Sequence, residues 1–255
     1  GRTGACTEAL IAAGVTRIVS AITDPDPRVS DQGFTALRAA NIDVQVGSCA
    51  EQVREQLHAY IHHRTTGRPF VVLKLAMTLD GRTAAADGSS QWITGEQARI
   101  EAHRLRAESD AIVVGAQTVR SDDPSLTTRL VAGPSPRRIV LGSAPVDAKV
   151  QPCTEWTAGL PELLDLLGQE SVLQVMVEGG ASVAASFHRE NLVDRYVLYV
   201  APAFMGGDDG VPLFRGAGAA TMQELWRANI VSTRLLGEDI EIVIDKNPRK
   251  FKETV

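Results

Sequence analysis

Aromatic residues make up only 5% of this 255-residue chain, and cysteine occurs three times, at Cys6, Cys49 and Cys153. That odd count lacks zinc-ribbon pairing, which makes a reduced, cytoplasmic setting the default expectation. Basic residues are not in excess: 26 Lys and Arg stand against 31 Asp and Glu, a net charge of −5. A general nucleic-acid binder needs a basic surface that releases counterions, so that class is excluded, while a local basic pocket for a small phosphorylated ligand is not. No apolar run approaches the ~20 residues of a bilayer span, so no membrane role is expected. Gly1 opens no basic-then-apolar leader, so no secretory signal is expected either. Against these shortages stands a 44% hydrophobic content with 22% charged residues, enough to fill a core. The length suits one large domain, or one of roughly 180–200 residues with a smaller piece.

Apolar periodicity alternates between helix and strand from the start. Helices are predicted over 7–13, 35–40 and 49–62, with strands over 16–22 and 43–46. The DPDP stretch at 24–27 breaks the chain after the first strand. Residues 62–69 carry no large apolar side chain and read as a linker to a second unit. Beyond it, FVVLKLAM (70–77) is almost continuously apolar, as a strand covered on both faces should be. Thr94-x-x-Gln97 reads as a capping box opening a helix through Glu108. AIVVG (111–115) is a second buried strand, with a short helix after it. Strands at 138–141, 172–177 and 196–200, helices at 160–167 and 180–190, and a closing hairpin at 230–236 and 240–245 complete the series. The pattern implies an α/β fold with a mixed sheet flanked by helices. Residues 130–136 and 204–218 are Gly- and Pro-rich loops, and 248–255 form a charged tail.

Several features suit chemistry, each with a plainer alternative. Lys74 is the lone charge in the strand at 70–77, and a buried ammonium requires a partner or a ligand; an edge lysine snorkelling to water gives the same spacing. The turn Thr78-Leu79-Asp80-Gly81-Arg82 is ordinary hairpin chemistry, placed where open sheets bind ligands. Ser89-Ser90-Gln91-Trp92-Ile93-Thr94 brings hydroxyls and a flat ring to a helix N-terminus, where an anion is at home; capping by Thr94 explains part of it. Arg106 and Arg129 would grip a phosphate with bidentate geometry if the fold brings them together, whereas helix arginines such as Arg99 usually form a solvated face. In 114–126 a buried strand continues into Gly115 and Thr118, a place for a cofactor's sugar or phosphate to approach backbone; Asp122-Asp123-Pro124 serves equally as a helix stop. In 175–182 a strand runs into Gly179-Gly180 and opens a helix, the arrangement by which a pyrophosphate meets backbone amides, although the full G-x-G-x-x-G fingerprint is missing. Glu178 at that strand end needs a hydroxyl or cation partner. His58 and His62 are four apart, yet no third ligand accompanies them, so no metal site is expected.

Taken as an ordered set, KLAMTLDGRTA (74–84), SSQWIT (89–94), LRAESDAIVVGAQTVRSDDPSLTTR (105–129) and VEGGASVAASF (177–187) resemble one family, the reductase domain of the bifunctional riboflavin-biosynthesis deaminase/reductase. The resemblance runs from about Arg68 to Asp245. It implies a dihydrofolate-reductase-like fold over 67–247 and NADPH-dependent reduction of 5-amino-6-(5-phosphoribosylamino)uracil, a phosphorylated pyrimidine, to the phosphoribitylamino product. By that likeness Ser90, Arg106, Leu126 and Arg129 match substrate-binding positions, with the arginines on the phosphate. Ala76, Trp92, Thr118, Asp122, Ser143 and the run Gly180, Ala181, Ser182, Val183, Ala184, Ala185 and Ser186 match NADP-binding positions. Lys74 and Glu178 match residues facing the pyrimidine and the ribose, and are the expected catalytic pair. A homodimer is implied by the family alone. Residues 1–66 look like the C-terminal part of that family's cytidine-deaminase-like domain, GRTGAC (1–6) resembling the segment with its second zinc cysteine and AITDPDP (21–27) a later strand end. The H-x-E segment and the first cysteine are absent, so deamination is expected only if an upstream segment is present; a non-catalytic NADP-binding remnant is the other alternative.

Overall fold

The computed structural model describes residues 6–26 and 28–246, and its contacts divide the chain into two compact units between Arg68 and Pro69. The first unit contains α1 (Cys6–Ala12), β1 (Arg17–Ser20), α2 (Gln32–Ala39), β2 (Asp43–Val46), α3 (Ala50–Gln56) and α4 (His58–Thr66). β1 and β2 pair in parallel, Arg17 opposite Asp43 and Ser20 opposite Val46. The helix predicted over 49–62 is two helices, parted at Leu57, whose φ of −101° and ψ of 15° leave the helical region. The stretch expected as a linker at 62–69 is largely helical. The Thr65 and Thr66 hydroxyls donate to the carbonyls of Ile61 and His62, each at 2.8 Å, and Gly67, at φ 76°, ends α4 in the left-handed conformation that suits glycine. Thr65, Thr66 and Gly67 form an exposed helix end, and the division between the two units falls just after it, within the predicted stretch. Residues 1–5 of the GRTGAC segment, Pro27 of the DPDP break and the tail at 248–255 lie outside the described residues.

The second unit runs β3 (Phe70–Thr78), β4 (Arg82–Ala84), α5 (Glu96–Glu108), β5 (Ala111–Gly115), α6 (Ala116–Asp122), β6 (Arg137–Leu141), β7 (Thr154–Trp156), α7 (Leu160–Gln169), β8 (Gln174–Val177), α8 (Ala181–Arg189), β9 (Arg195–Ala201), β10 (Val211–Pro212), β11 (Asn229–Leu236) and β12 (Asp239–Asp245). Its main sheet has eight strands in the order β11-β12-β9-β3-β8-β5-β6-β7. The six strands from β9 to β7 run parallel, while β12 joins β9 antiparallel and closes with β11 as the expected hairpin. The expected mixed sheet flanked by helices is therefore what forms. Alternation along β5 explains the layering. Ala111 and Val113 pack on one face with Leu163, Leu164 and Leu167 of α7 and Phe187 of α8. Ile112 and Val114 pack on the other with Val119 of α6 and Leu126.

Because β3, β5, β6, β8 and β9 are parallel, their C-terminal ends share one edge, the side on which open α/β sheets bind ligands. Helix α5 starts differently from the sequence expectation. Gly95, not Thr94, is its N-cap, with no side-chain cap from the chain nearby. Instead the buried Asp239 carboxylate accepts the Gly95 N–H at 2.7 Å, an acid at the positive end of the helix dipole. The cap comes from 144 residues away, so no local pattern announces it.

Candidate active site

At the shared edge, β8 delivers Glu178 one residue past its last paired position, and the Glu178 N–H donates to the Val113 carbonyl at 2.9 Å. Helix α5 brings Arg106 against it. Arg106 Nε donates to Oε1 at 2.6 Å and Nη2 donates to Oε2 at 2.9 Å, a two-pronged match of guanidinium to carboxylate. The side chains keep only 12% and 13% of their exposure. The remaining nitrogen, Nη1, donates to the Thr127 carbonyl at 3.3 Å. The bidentate face that sequence reasoning held open for a phosphate is thus occupied by Glu178.

Lys74 comes from β3, paired with Val197 of β9 and on the same strand face as Ala76. Its Nζ stands 5.7 Å from the centroid of the Tyr199 ring. Burial lowers the Lys74 pKa below the ordinary lysine value and Arg106 adds to that, while Glu178 pulls the other way without restoring it. For Glu178 the balance is reversed. Burial favours the neutral acid, but Arg106 and Lys74 together hold the carboxyl below the ordinary glutamate value. Arg106, though desolvated, is raised by the same carboxylate. The register that sets Leu73 opposite Val177 brings Lys74 alongside Glu178, the carboxylate that Arg106 holds.

Arg129 lies beside this trio on the loop after α6. Its Nη1 donates to the hydroxyls of Ser125 and, at 2.9 Å, Thr127, and its side chain is exposed. The backbone N–H of Arg129 donates to Nδ1 of His103 at 2.9 Å. His103 is a buried residue of α5 that sequence reasoning missed; the one available signal was its spacing three before Arg106, which places both on one helix face. Burial first, then Arg106 and Arg129, lowers its pKa to about 4, so the ring is neutral at neutral pH.

The glycine turn stands next to these charges, directly after Glu178. A Cβ on Gly179 would lie 2.5 Å from Val183 Cβ and 2.6 Å from its Cγ1, and a Cβ on Gly115, at the end of the neighbouring β5, would lie 2.8 Å from Val183 Cγ2. Both strand-to-helix turns therefore close on one valine, and glycine is required by that approach. A Cβ at Gly180 would meet Thr118 Oγ1 at 3.5 Å, so two expected cofactor residues from different turns are neighbours. Helix α8 begins without a side-chain cap, leaving its first N–H groups to whatever anion arrives. Gly179→Ala is expected to cost ~1–3 kcal/mol through overpacking against a β-branched side chain with few rotamers. The added substitution Val183→Ala should return most of it, read as urea midpoints of the single and double variants. No recovery would mean the turn is crowded by something else.

The other expected residues are placed less centrally. Leu126 is buried in the core with Ile112 and Val114 and holds φ 52°, so only its backbone is available to a ligand. Ala181, Ala184 and Ala185 turn into the core and Val183 packs against it, which leaves Gly180, Ser182 and Ser186 as the part of that run outside it. Asp122 and Ser143 are exposed, the Ser143 carbonyl accepting from Arg120 Nη1 at 3.5 Å. Ser90 is partly buried. Trp92 is 70% exposed, with the Arg99 guanidinium 4.8 Å from its ring centroid, so Arg99 covers an aromatic face rather than facing water alone. Trp92 also lines a cavity of about 620 Å³ at the start of α5, which includes none of the other expected residues.

Residues 69–242 match the sequence model of the RibD C-terminal domain. The chain is 37% identical over 94% of its length to the riboflavin biosynthesis protein RibD of Chlamydia muridarum (strain MoPn / Nigg), covering 75% of that protein. Among solved structures, one form of Acinetobacter baumannii RibD superposes with a TM-score of 0.89 at 32% identity, over 96% of this chain and 77% of that one. A diaminohydroxyphosphoribosylaminopyrimidine deaminase/5-amino-6-(5-phosphoribosylamino)uracil reductase from Thermotoga maritima gives 0.85 at 28% identity, over 96% and 75%.

Proposed function

This chain belongs to the RibD C-terminal domain family, the reductase of riboflavin biosynthesis, and from that membership we propose that it reduces 5-amino-6-(5-phosphoribosylamino)uracil to the phosphoribitylamino product with NADPH. The observation that carries the reading is the meeting, at one sheet edge, of the Lys74–Glu178–Arg106 cluster and the Arg129 loop with the crowded glycine turn of α8.

The residues fit a nicotinamide dinucleotide on their own geometry. The uncapped first turn of α8, free of any Cβ at Gly179 and Gly180, suits a pyrophosphate, and the Thr118 hydroxyl beside Gly180 suits a sugar or phosphate oxygen. When bound, the cofactor supplies a hydride. The chain's own work is alignment and proton handling. Arg129, with an exposed guanidinium braced by Ser125 and Thr127, takes the substrate phosphate. Arg106 fixes Glu178 rather than the phosphate, and Glu178 is left to accept a ribose hydroxyl. Lys74, held low by burial, is the group in this corner suited to give a proton to the imine nitrogen. The same proposal includes a homodimer, a cytoplasmic location and residues 1–66 as part of a deaminase-like domain.

The direct test follows NADPH oxidation by absorbance with purified chain and the deaminated phosphoribosylamino-pyrimidine, with NADH run alongside; no turnover with either sinks the reading. Arg129→Ala is expected to raise the substrate KM about 10- to 100-fold, the loss of a charge-assisted contact worth ~1.5–3 kcal/mol. The NADPH Kd should stay within about twofold. Equal effects on both would remove Arg129 from the phosphate.

A further inference from the structure

The charged corner contains a side chain to which the reading above gives no task. His103 and Arg106 stand one turn apart on α5, and they hold two backbone groups of the same loop. Arg106 Nη1 donates to the Thr127 carbonyl at 3.3 Å, and His103 Nδ1 accepts the Arg129 N–H at 2.9 Å. Residues 127–129 are thereby docked on the helix at both a C=O and an N–H. The guanidinium that leaves this backbone is the one assigned to the substrate phosphate.

The chemistry of the second contact admits one arrangement. A backbone N–H only donates, so Nδ1 carries no proton, and the proton of a neutral ring is on Nε2. Nε2 lies 3.5 Å from Arg106 Nη1, a donor facing a donor, so that contact is not what holds the ring. Protonating Nδ1 would break the bond to Arg129, and it is opposed by burial and by Arg106, Arg129 and Lys74, with only Glu178 favouring it. A carboxylate at position 103 would also accept the N–H, but it would draw Arg106 away from Glu178. A neutral acceptor avoids that competition.

We propose that His103 is a positioning residue for substrate binding: its unprotonated Nδ1 fixes the backbone at Arg129 and thereby aims the Arg129 guanidinium at the anionic end of the substrate. This rests on the reading of Arg129 as the phosphate ligand.

The test compares the full-length wild type with His103→Ala, His103→Asn and His103→Gln. Asparagine places an acceptor oxygen where Nδ1 stands, whereas glutamine places its polar atoms near Nε2. The substrate KM is expected to rise about tenfold in the alanine and glutamine variants, the size of one lost buried hydrogen bond. In the asparagine variant it should stay within about threefold of wild type, and kcat should change by less than about threefold in all. If the alanine variant does not fold, the asparagine–glutamine contrast carries the same decision. Equal KM values for asparagine and glutamine, or a loss confined to kcat, would overturn the proposal. Calorimetric titration with inorganic phosphate separates this from the functional reading. A wild type that binds phosphate in the predicted order of variants but does not turn over keeps His103 and removes the assigned reaction. Turnover with no difference among variants in either KM or phosphate affinity removes His103 alone, and a wild type with neither phosphate binding nor turnover removes both.

Discussion

Glu178→Gln should destabilise the reductase unit by about 3 kcal/mol, more than any surface substitution in the chain. The side chain keeps its shape, so the loss is electrostatic. Removing the carboxylate leaves Arg106, only 12% exposed, without its counter-ion and takes from Lys74 the negative charge that favours its protonated form. Breaking a buried pair from one side costs ~3–5 kcal/mol because the abandoned charge stays desolvated, and the slight exposure places this pair at the low end. The sign with pH follows from the folded carboxyl being held below the ordinary value of 4.5. The stability from Glu178 is present above about pH 4.5 and is lost as the pH falls through the depressed folded value. Urea titrations of wild type and variant should therefore differ fully at neutral pH and converge in acid, with a shifted midpoint and an unchanged slope. A difference below about 1 kcal/mol at pH 7 would show that Arg106 finds water or another acceptor. The double variant Arg106→Gln/Glu178→Gln should regain part of the loss, since it strands no guanidinium.

How much of this was legible in the sequence depends on whether the cause was local. The bounds of β2 and β5 match their sequence reading because each is a short segment that ends at a glycine, alternating polar and apolar in β2 and wholly apolar in β5. β7 (Thr154–Trp156) was missed because nothing in Thr-Glu-Trp announces a strand. It exists by pairing Ile139 with Thr154 and Leu141 with Trp156 at the sheet's edge. β4 and β10 are the same kind of element, made by Arg82 opposite Pro212 and Ala84 opposite Val211. The break at Leu57 has no glycine or proline to mark it. The site divides in the same way. The crowding that demands Gly179 is written within five residues, and the doublet was visible as a turn. The Arg106–Glu178 pair spans 72 residues and the His103–Arg129 bond spans 26; each needs the fold before it means anything. The ordered motifs named the family and its residues by likeness, but only the geometry shows that Arg106 is paired with Glu178.

Lys74→Met should separate stability from activity, in opposite directions. Methionine replaces the lysine stem with a chain of similar length and fills the same space against Tyr199. It also removes the ammonium that burial disfavours. Glu178 loses one cation but keeps the two-pronged bond from Arg106, so the folded state should be within about 1 kcal/mol of wild type, as is common when a buried charge gives way to a well-packed apolar group. The reaction has no such substitute. If Lys74 delivers the proton to the imine nitrogen, the variant loses a general acid, and kcat should fall ~10²–10³-fold while the NADPH Kd is unchanged. The wild-type rate should also fall at high pH through a value below the 10.5 of an ordinary lysine, since the active form carries the proton. Lys74→Arg keeps a charge that does not titrate in that range, so its residual rate should show no alkaline limb. Should the methionine variant keep more than about a tenth of the wild-type kcat, the proton comes from elsewhere, and Lys74 is left as a counter-charge to Glu178.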